Sequence, residues 1–138
     1  MTQAPTPADV AAALRMQTGE NAVLRTRLML HDDEPVELSW SYYPAPIAAG
    51  SPLAHARRIP GGAPQILAQL GHPQRHLVDK LSVRPPTTEE VQALELPNRV
   101  SVIRQFRIIY SDDDRPVEVT VMIKGGHRYE VTYHHTIQ

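Results

Sequence analysis

Hydrophobic and polar residues alternate along much of the chain, and a period of two is typical of strands that bury one face. The apolar face consists of Val36, Leu38, Trp40 and Tyr42 in 35–43, and of Val117, Val119, Val121 and Ile123 in 115–124. Similar patterns occupy 22–30, 75–84, 99–110 and 128–136. These stretches predict six strands, with an irregular lead-in at 1–6 and an irregular connection at 44–62.

Three short helices are expected between the strands, from Thr6 or Pro7 to about Arg15, at 63–71 and at 87–95. The last has Thr87 followed three residues later by Glu90, which is the pattern of a capping box. Gly71 and Pro73 end the middle helix. Strands and short helices in this order indicate an α+β class with a mainly antiparallel sheet.

The chain also repeats itself once. Residues 5–43 and 86–124 share one order: a short helix, a strand, an acidic turn and a strand. A solenoid needs three or more units to bury a core, so two copies instead predict two pseudo-repeated helix–hairpin halves of one sheet.

Composition limits the classes of function. The 138 residues fit a single domain, 1–138, and 14 basic against 15 acidic residues give a net charge of -1, with no field that favours nucleic acid or a membrane surface. The chain has no cysteine, which excludes disulfides and thiolate metal sites. It contains neither a signal peptide pattern nor an apolar run of ~20 residues. We expect a cytoplasmic protein without membrane contact.

Four segments, in this order, carry a resemblance to a known family: Leu24–Pro44, Val83–Thr87, Asp113–Glu118 and Gly125–Tyr129. Over about 4–137 the chain resembles the effector-binding UTRA domain of GntR-type transcription regulators of the HutC subfamily. That domain is similar in fold to chorismate lyase. Lys124 and His127 stand where the family commonly has arginine and aspartate.

The resemblance implies a domain that senses a small-molecule effector, forms a homodimer and is not an enzyme. The family's winged helix-turn-helix finds no room in these residues, so DNA contact is expected only through a domain outside this chain. A chorismate lyase-like enzyme acting on an acidic small molecule is the alternative, because fold alone does not decide function. A module that binds only its own kind is a third.

Arg84 is the first candidate ligand-binding residue. It ends a strand just before a helix, and its guanidinium could hold a phosphate or carboxylate in a fork, a role that the resemblance implies for an arginine here. An ion pair with Glu89 or Glu90 is the alternative.

A second candidate group precedes the middle helix and consists of Arg57, Arg58, Gly61 and Gly62. Free backbone N–H groups at a helix start, beside guanidinium groups, make an anion pocket, and the resemblance places effector contacts here. The glycines could equally serve only to turn a flexible loop. An anionic effector is therefore expected.

Glu118 and Thr120 share the polar face of their strand. The resemblance implies that they line the effector cleft, with Tyr129 at its rim, although plain solvent exposure and a partly buried tyrosine are the alternatives. Glu37 and Ser39 are the counterparts of Glu118 and Thr120 in the first repeat, and we favour the second pair.

No metal or other cofactor is predicted. Pro73 keeps His72 and His76 from sharing a helical face, and the adjacent His134 and His135 point to opposite faces of a strand. No catalytic triad order or phosphate-binding glycine loop is present in the sequence.

Overall fold

The computed structural model describes residues 2–17, 19–55, 58–59 and 61–138, with side chains from Pro5 onward. It is an α+β fold built on an antiparallel sheet with few helices. Its strands are β1 Thr2–Pro5, β2 Asn21–His31, β3 Glu34–Pro44, β4 His76–Arg84, β5 Val102–Tyr110 and β6 Pro116–Gly125. Its helices are α1 Ala8–Leu14, α2 Ala45–Ala48, α3 Gly62–Gln69 and α4 Thr88–Leu94, with 3₁₀ turns at Pro52–Ala54 and Asp112–Asp114.

The strands lie in the order β1-β2-β3-β6-β5-β4, so the two long hairpins meet at the centre of the sheet. β3 and β6 pair antiparallel from Glu37 opposite Lys124 to Tyr42 opposite Val119. β1 pairs only with the first part of β2, from Pro5 opposite Asn21 to Thr2 opposite Leu24. The described sheet therefore ends in β1 on one side and in β4 on the other.

Both faces of the sheet are covered. On one, the α1/α4 face, Val10 of α1 and Leu94 of α4 pack with Phe106 and Val121 of the sheet. On the opposite face, α2, the turn at Pro52–Ala54 and α3 form a second core around Leu53 and Leu67. We call this second side the cavity face, because the short segments cover it only in part.

A β-bulge decides which residues of β6 reach the cavity face. Tyr110 pairs with Pro116 and Ile109 with Glu118, which leaves Val117 as an extra residue. Val117 consequently joins the second core, whereas Val119, Val121 and Ile123 belong to the core on the α1/α4 face. The prediction of one common face for all four residues was wrong at Val117.

The ends of the chain differ most from the sequence prediction. The predicted strand at 128–136 is wrong, because 126–138 contains no helix or strand and forms no pairing with the described chain. The predicted irregular lead-in instead contributes β1. The described sheet thus has six strands, but not the predicted six. Within 44–62, α2 and the turn at Pro52–Ala54 replace an irregular connection.

The sequence signal for the start of α4 was read correctly. Thr87 Oγ1 accepts a hydrogen bond from the Glu90 backbone N–H at 3.2 Å, and Glu90 Oε1 accepts one from the Thr87 N–H at 3.0 Å. The capping box predicted from four residues is therefore confirmed. In the described part of the chain, no helix has the length and apolar character required to cross a bilayer.

Candidate functional site

A cavity of about 1220 Å³ lies between the cavity face of the sheet and the loop that leads into α3. The strands contribute Arg25, Thr26, Arg27, Ser41, Tyr43, Arg107, Ile109, Glu118, Thr120 and Met122, and the connecting segments contribute Arg58, Ile59, Gly61, Gly62, Ala63, Pro64 and Gln74. The volume is ample for a small molecule.

Strand register explains why polar side chains converge here. Arg25 pairs with Ser41, Ser41 with Thr120, and Thr120 with Arg107. Arg107 pairs in turn with Asp79. Residues directly opposite one another in neighbouring strands share a face, so these five form one polar row across the sheet.

Hydrogen bonds link part of this row to Glu118. The hydroxyl oxygens of Ser41 and Thr120 are 2.8 Å apart, and Thr120 donates to Glu118 Oε2 at 2.6 Å. Glu118 itself is only 7 % exposed, and no donor in the described part of the chain hydrogen-bonds to its other oxygen, Oε1. A buried oxygen without a partner carries a desolvation cost that a ligand could relieve.

Burial shifts the protonation equilibria of two neighbouring groups. Desolvation raises the pKa of Glu118, against the opposing effects of hydrogen bonds from Thr120 and Tyr43 and of the nearby Arg107 and Arg27 charges. Desolvation also raises the pKa of Tyr43, and the Glu118 carboxylate beside it adds to that rise. Tyr43 thus keeps its phenolic proton at neutral pH.

Four arginines give the cavity its positive character. Arg107 donates from Nε and Nη2 to the two carboxylate oxygens of Asp79, at 2.9 and 3.0 Å, which raises the pKa of Arg107 and lowers that of Asp79. Arg25 donates to the carbonyl oxygens of Leu53, at 3.1 Å, and His55. Arg27 and Arg58 are exposed at the cavity. Glu118 is the one carboxylate in the described lining.

The loop before α3 needs glycine. Gly61, the N-cap, and Gly62 both have φ of +79°, in the region that side chains disfavour. A Cβ on Gly61 would also lie 1.5 Å from Gln65 Oε1. Glycine at these two positions lets the backbone turn into α3, whose first residues line the cavity.

The structure places five of the predicted ligand-binding residues in the cavity lining: Arg58, Gly61, Gly62, Glu118 and Thr120. Arg57 lies outside the described residues. The favoured choice of Glu118 and Thr120 over Glu37 and Ser39 agrees with this lining. Glu37 instead lies 3.6 Å from Lys124 Nζ, which donates to Gln105 at 2.7 Å.

Arg84 requires a correction. Its Nη1 and Nη2 donate to Glu90 Oε1 and Oε2, each at 2.8 Å, so its fork is occupied by the carboxylate that also closes the capping box. Opposite Val102 in the sheet, it does not line the cavity. The alternative of an ion pair with Glu90 is the one that the structure shows.

Tyr129 requires a second correction. Its ring lies 5.1 Å from Lys124 Nζ in a cation–π contact. It borders a smaller hollow of about 390 Å³, lined with Met29, Leu30, His31, Val36 and Arg128, rather than the main cavity. The strand predicted at 128–136, which includes Tyr129, does not form.

Sequence reasoning missed Arg25, Arg27, Ser41, Tyr43 and Arg107 as cavity residues. The available signal was alternation: Arg25 and Arg27 share one face of β2, and Ser41 and Tyr43 share one face of β3. The signal at Arg107 was weaker, because the alternation of β5 is mixed: the apolar Ile109 shares the face of Arg107, whereas the charged Arg104 lies on the face of Phe106. No cluster of three metal-ligating side chains occurs among the described residues.

Comparison with known proteins agrees with this geometry. The sequence model of the UTRA domain matches residues 1–130. An uncharacterised HTH-type transcriptional regulator of Streptomyces coelicolor is 27 % identical over 129 residues, which cover 91 % of this chain and 48 % of that protein. The chain therefore spans about half the length of that relative.

Two solved structures show the same fold. The ligand-binding domain of a GntR-family regulator from Bordetella bronchiseptica aligns with a TM-score of 0.79 at 22 % identity, over 99 % of this chain and 86 % of that one. The C-terminal domain of the histidine utilization repressor from Pseudomonas syringae aligns with a TM-score of 0.79 at 17 % identity, over 99 % and 96 %.

The α+β fold is the one found in the C-terminal domains of GntR-family transcription regulators. The chain belongs to the UTRA domain family. The resemblance read from the sequence motifs is thereby confirmed.

Proposed function

We propose that this domain binds an anionic small molecule in its main cavity and reports that binding to a DNA-binding domain outside these residues. It would act as the effector-sensing and dimerisation domain of a GntR-type, HutC-like regulator, with a cytoplasmic location. Residues 1–138 would form this single unit, with two pseudo-repeated helix–hairpin halves in a chorismate lyase-like arrangement.

The positive lining supports an anionic ligand. Arg27 and Arg58 are exposed at the cavity, and among the described residues neither has a carboxylate within ion-pair distance. Each can add a charge-assisted hydrogen bond to a phosphate or carboxylate without first breaking a described ion pair. Arg107 also lines the cavity, but its charge is already compensated by the bidentate pair with Asp79.

The observation that carries the proposal is the unpartnered Oε1 of Glu118. A buried acceptor beside the cavity calls for a ligand with a hydroxyl or amine donor, because a ligand without one leaves the oxygen unsatisfied. The proposed effector class is thus an acid that also carries a hydrogen-bond donor, such as a phosphorylated sugar, an amino-sugar phosphate or a hydroxy acid. Thr120 and Ser41 lie in place to contact the same group.

We assign no catalysis to the site, since the relatives are regulators and no observation favours the lyase reaction over sensing. A homodimer is part of the proposal. It is supported by the two edges of the described sheet, which must be paired, covered or blocked in a soluble assembly.

A thermal-shift screen tests the proposal. Sugar phosphates, amino-sugar phosphates and hydroxy acids are compared with their uncharged and deoxy analogues, since a ligand that binds only the native state raises the melting temperature. We expect stabilisation only by members that carry both an acidic group and a donor. Arg27→Ala should reduce that shift, whereas Arg115→Ala, an exposed arginine outside the lining, should not. Equal stabilisation by the uncharged analogues would contradict the proposal.

A further inference from the structure

Two arginines of β2, Arg25 and Arg27, lie on the same face of the sheet and both line the main cavity, but their contacts differ. Arg27 is exposed, and its Nη2 lies 3.9 Å from Met29 Sδ. Arg25 is half-buried, and its Nη1 donates to two backbone carbonyls, those of Leu53 at 3.1 Å and of His55. Identical side chains on one strand face are therefore engaged in different ways.

The two carbonyls that Arg25 contacts belong to the end of the 3₁₀ turn at Pro52–Ala54. The last carbonyls of a helical turn lack the backbone N–H groups that a longer helix would provide, and a basic side chain can supply the missing donor. Leu53 is fully buried, so without this donor its carbonyl would be shielded from water at a cost to the fold. Ser51 Oγ accepts from the Leu53 N–H at 3.2 Å and secures the start of the turn. Arg25 secures its end.

The turn leads into the loop that faces the sheet across the cavity. We call this loop the entry segment; its described residues are 52–55, 58–59 and 61. It supplies Arg58 and Gly61 to the cavity lining, and the Gly62 N–H at the start of α3 donates to the Ile59 carbonyl at 3.0 Å. The entry segment is thus held to the sheet by Arg25 at one end and to α3 at the other.

We propose that Arg25 is a positioning residue: it fixes the entry segment so that Arg58 and the start of α3 face a bound anion, while Arg27 contacts that anion directly. A segment that is already in place loses less conformational freedom when a ligand binds, so its order raises the affinity. The carbonyls occupy donors of Arg25 without neutralising its charge, and the arginine still adds to the positive potential of the cavity. The inference rests on the proposed binding of an anion in this cavity.

Direct contact with the anion is the competing role for Arg25. An arginine that holds a phosphate or carboxylate end-on turns both Nη1 and Nη2 toward it. Arg25 would then give up its carbonyl partners and leave the carbonyl of the buried Leu53 without this donor. Arg27 gives up a weak contact with a sulfur atom when it turns toward the same anion. The contacts therefore favour Arg27 as the residue that binds the ligand.

Hydrogen exchange of the ligand-free chain tests whether Arg25 holds the entry segment. Arg25→Met is compared with Arg27→Met, which removes the same charge from the same face of β2. The N–H groups of Ala54, His55 and Gly62 each donate to the carbonyl three residues earlier, so their exchange reports opening of the segment. We expect Arg25→Met to speed this exchange at least about tenfold and Arg27→Met to leave it within about twofold. Arg25→Lys, which keeps a donor, should recover much of the protection.

Amides at the centre of β6 monitor global unfolding in the same experiment. Because they lie outside the entry segment, an effect of Arg25→Met on the segment alone is distinguished from a general loss of stability. Unchanged exchange in Arg25→Met, an equal increase in Arg27→Met, or an increase shared equally by β6 would each overturn the positioning role.

Titration with inorganic phosphate then relates the position of the segment to anion binding. We expect Arg25→Met to weaken phosphate binding at least about threefold, and Arg25→Lys to restore affinity and protection together. Arg27→Met should weaken binding while the entry segment keeps its protection. If Arg25→Met loses phosphate while the segment stays protected, Arg25 is a direct contact and the proposal is overturned. Protection that depends on Arg25 in a parent that binds no phosphate would contradict the anion-binding cavity and leave the hold of Arg25 on the segment standing.

Discussion

The two faces of the sheet are buried in different ways, and the difference explains where a ligand can bind. On the α1/α4 face, apolar residues such as Phe106, Val119 and Val121 pack tightly against two helices. On the cavity face, short segments cover one end of the sheet and leave the polar row from Arg25 to Arg107 beneath an open cavity. The α1/α4 face stabilises the fold through apolar packing. The cavity face is packed less completely, and its polar groups remain accessible to a ligand.

Two arginine–carboxylate pairs show the same contrast. Arg84 and Glu90 tie the end of β4 to the start of α4, where the pair closes a capping box. Arg107 and Asp79 join β4 to β5 with similar geometry, but Arg107 also lines the cavity. A residue type suited to anion binding is therefore not enough to mark a site. The face of the sheet on which the arginine lies decides whether it can contact a ligand.

The largest expected effect comes from removing a side chain of the α1/α4 face. Phe106→Ala should lower the free energy of unfolding by about 3–5 kcal/mol, because a buried aromatic leaves a cavity behind. Leu77→Ala, at an exposed position on β4, is the control and should cost far less. Chemical denaturation measures both, and similar costs would contradict the picture of a tightly packed face.

Arg84→Ala should have the next largest effect, about 2–3 kcal/mol of lost stability, because it leaves the buried Glu90 carboxylate without its guanidinium. We take less than the full value for a buried pair because Arg84 is partly exposed. The parent's Arg84 hydrogen bonds lower the pKa of Glu90, so this contribution is present in full above the unfolded value of about 4.3 and is lost as pH falls from there through the lower folded pKa. Denaturation from pH 3 to 7 should show that dependence in the parent and little of it in the variant.

Glu118→Gln should act in the opposite direction on stability. Burial raises the pKa of Glu118, so its ionisation opposes folding increasingly as pH rises above about 4.3, the unfolded value. Removing the charge should hold or raise stability at pH 7 by about 1 kcal/mol while weakening a donor-bearing ligand. Melting temperatures between pH 4 and 8 provide the check. A marked loss of stability at pH 7 would mean that the ionised carboxylate supports the fold.

Ser41→Ala should have the smallest effect, about 0.5–1 kcal/mol, because Thr120 keeps its hydrogen bond to Glu118 when the Ser41 hydroxyl is removed. Thr120→Val is the more severe change, since it removes the Thr120 donor and leaves Tyr43 as the side-chain partner of the Glu118 carboxylate. Chemical denaturation of the two variants should rank Thr120→Val as the more destabilising. The reverse order would show that Ser41 supports the carboxylate directly.

Local sequence signals predicted the fold well where the interacting residues are close along the chain. The capping box needs only Thr87 and Glu90, and the two hairpins follow from alternation beside acidic turns. The strand prediction for 128–136 was wrong because a strand depends on a partner that is distant along the chain. The segment has the alternation of a strand, but no described residue pairs with it.

The site was predictable only in part because it depends on strand register. Glu118 and Thr120 were expected at the cavity because of the family resemblance, since their polar strand face alone also fitted plain solvent exposure. The bulge at Val117, which determines the face on which Glu118 lies, has no clear signature in the sequence. Arg84 was placed in the site because a guanidinium beside a helix start suits an anion. The helix's own Glu90 takes that position instead, and it was visible only as the stated alternative.

Titration calorimetry of one ligand against the parent and three variants tests the central claim most directly. With an acidic, donor-bearing ligand found by thermal shift, we expect Arg27→Ala and Glu118→Gln each to weaken binding at least about tenfold, close to the 1.5–3 kcal/mol expected of a hydrogen bond to a charged group. Arg84→Ala, measured where it remains folded, should bind like the parent. If Arg84→Ala loses the ligand while Arg27→Ala and Glu118→Gln keep it, the effector does not bind in the cavity described above.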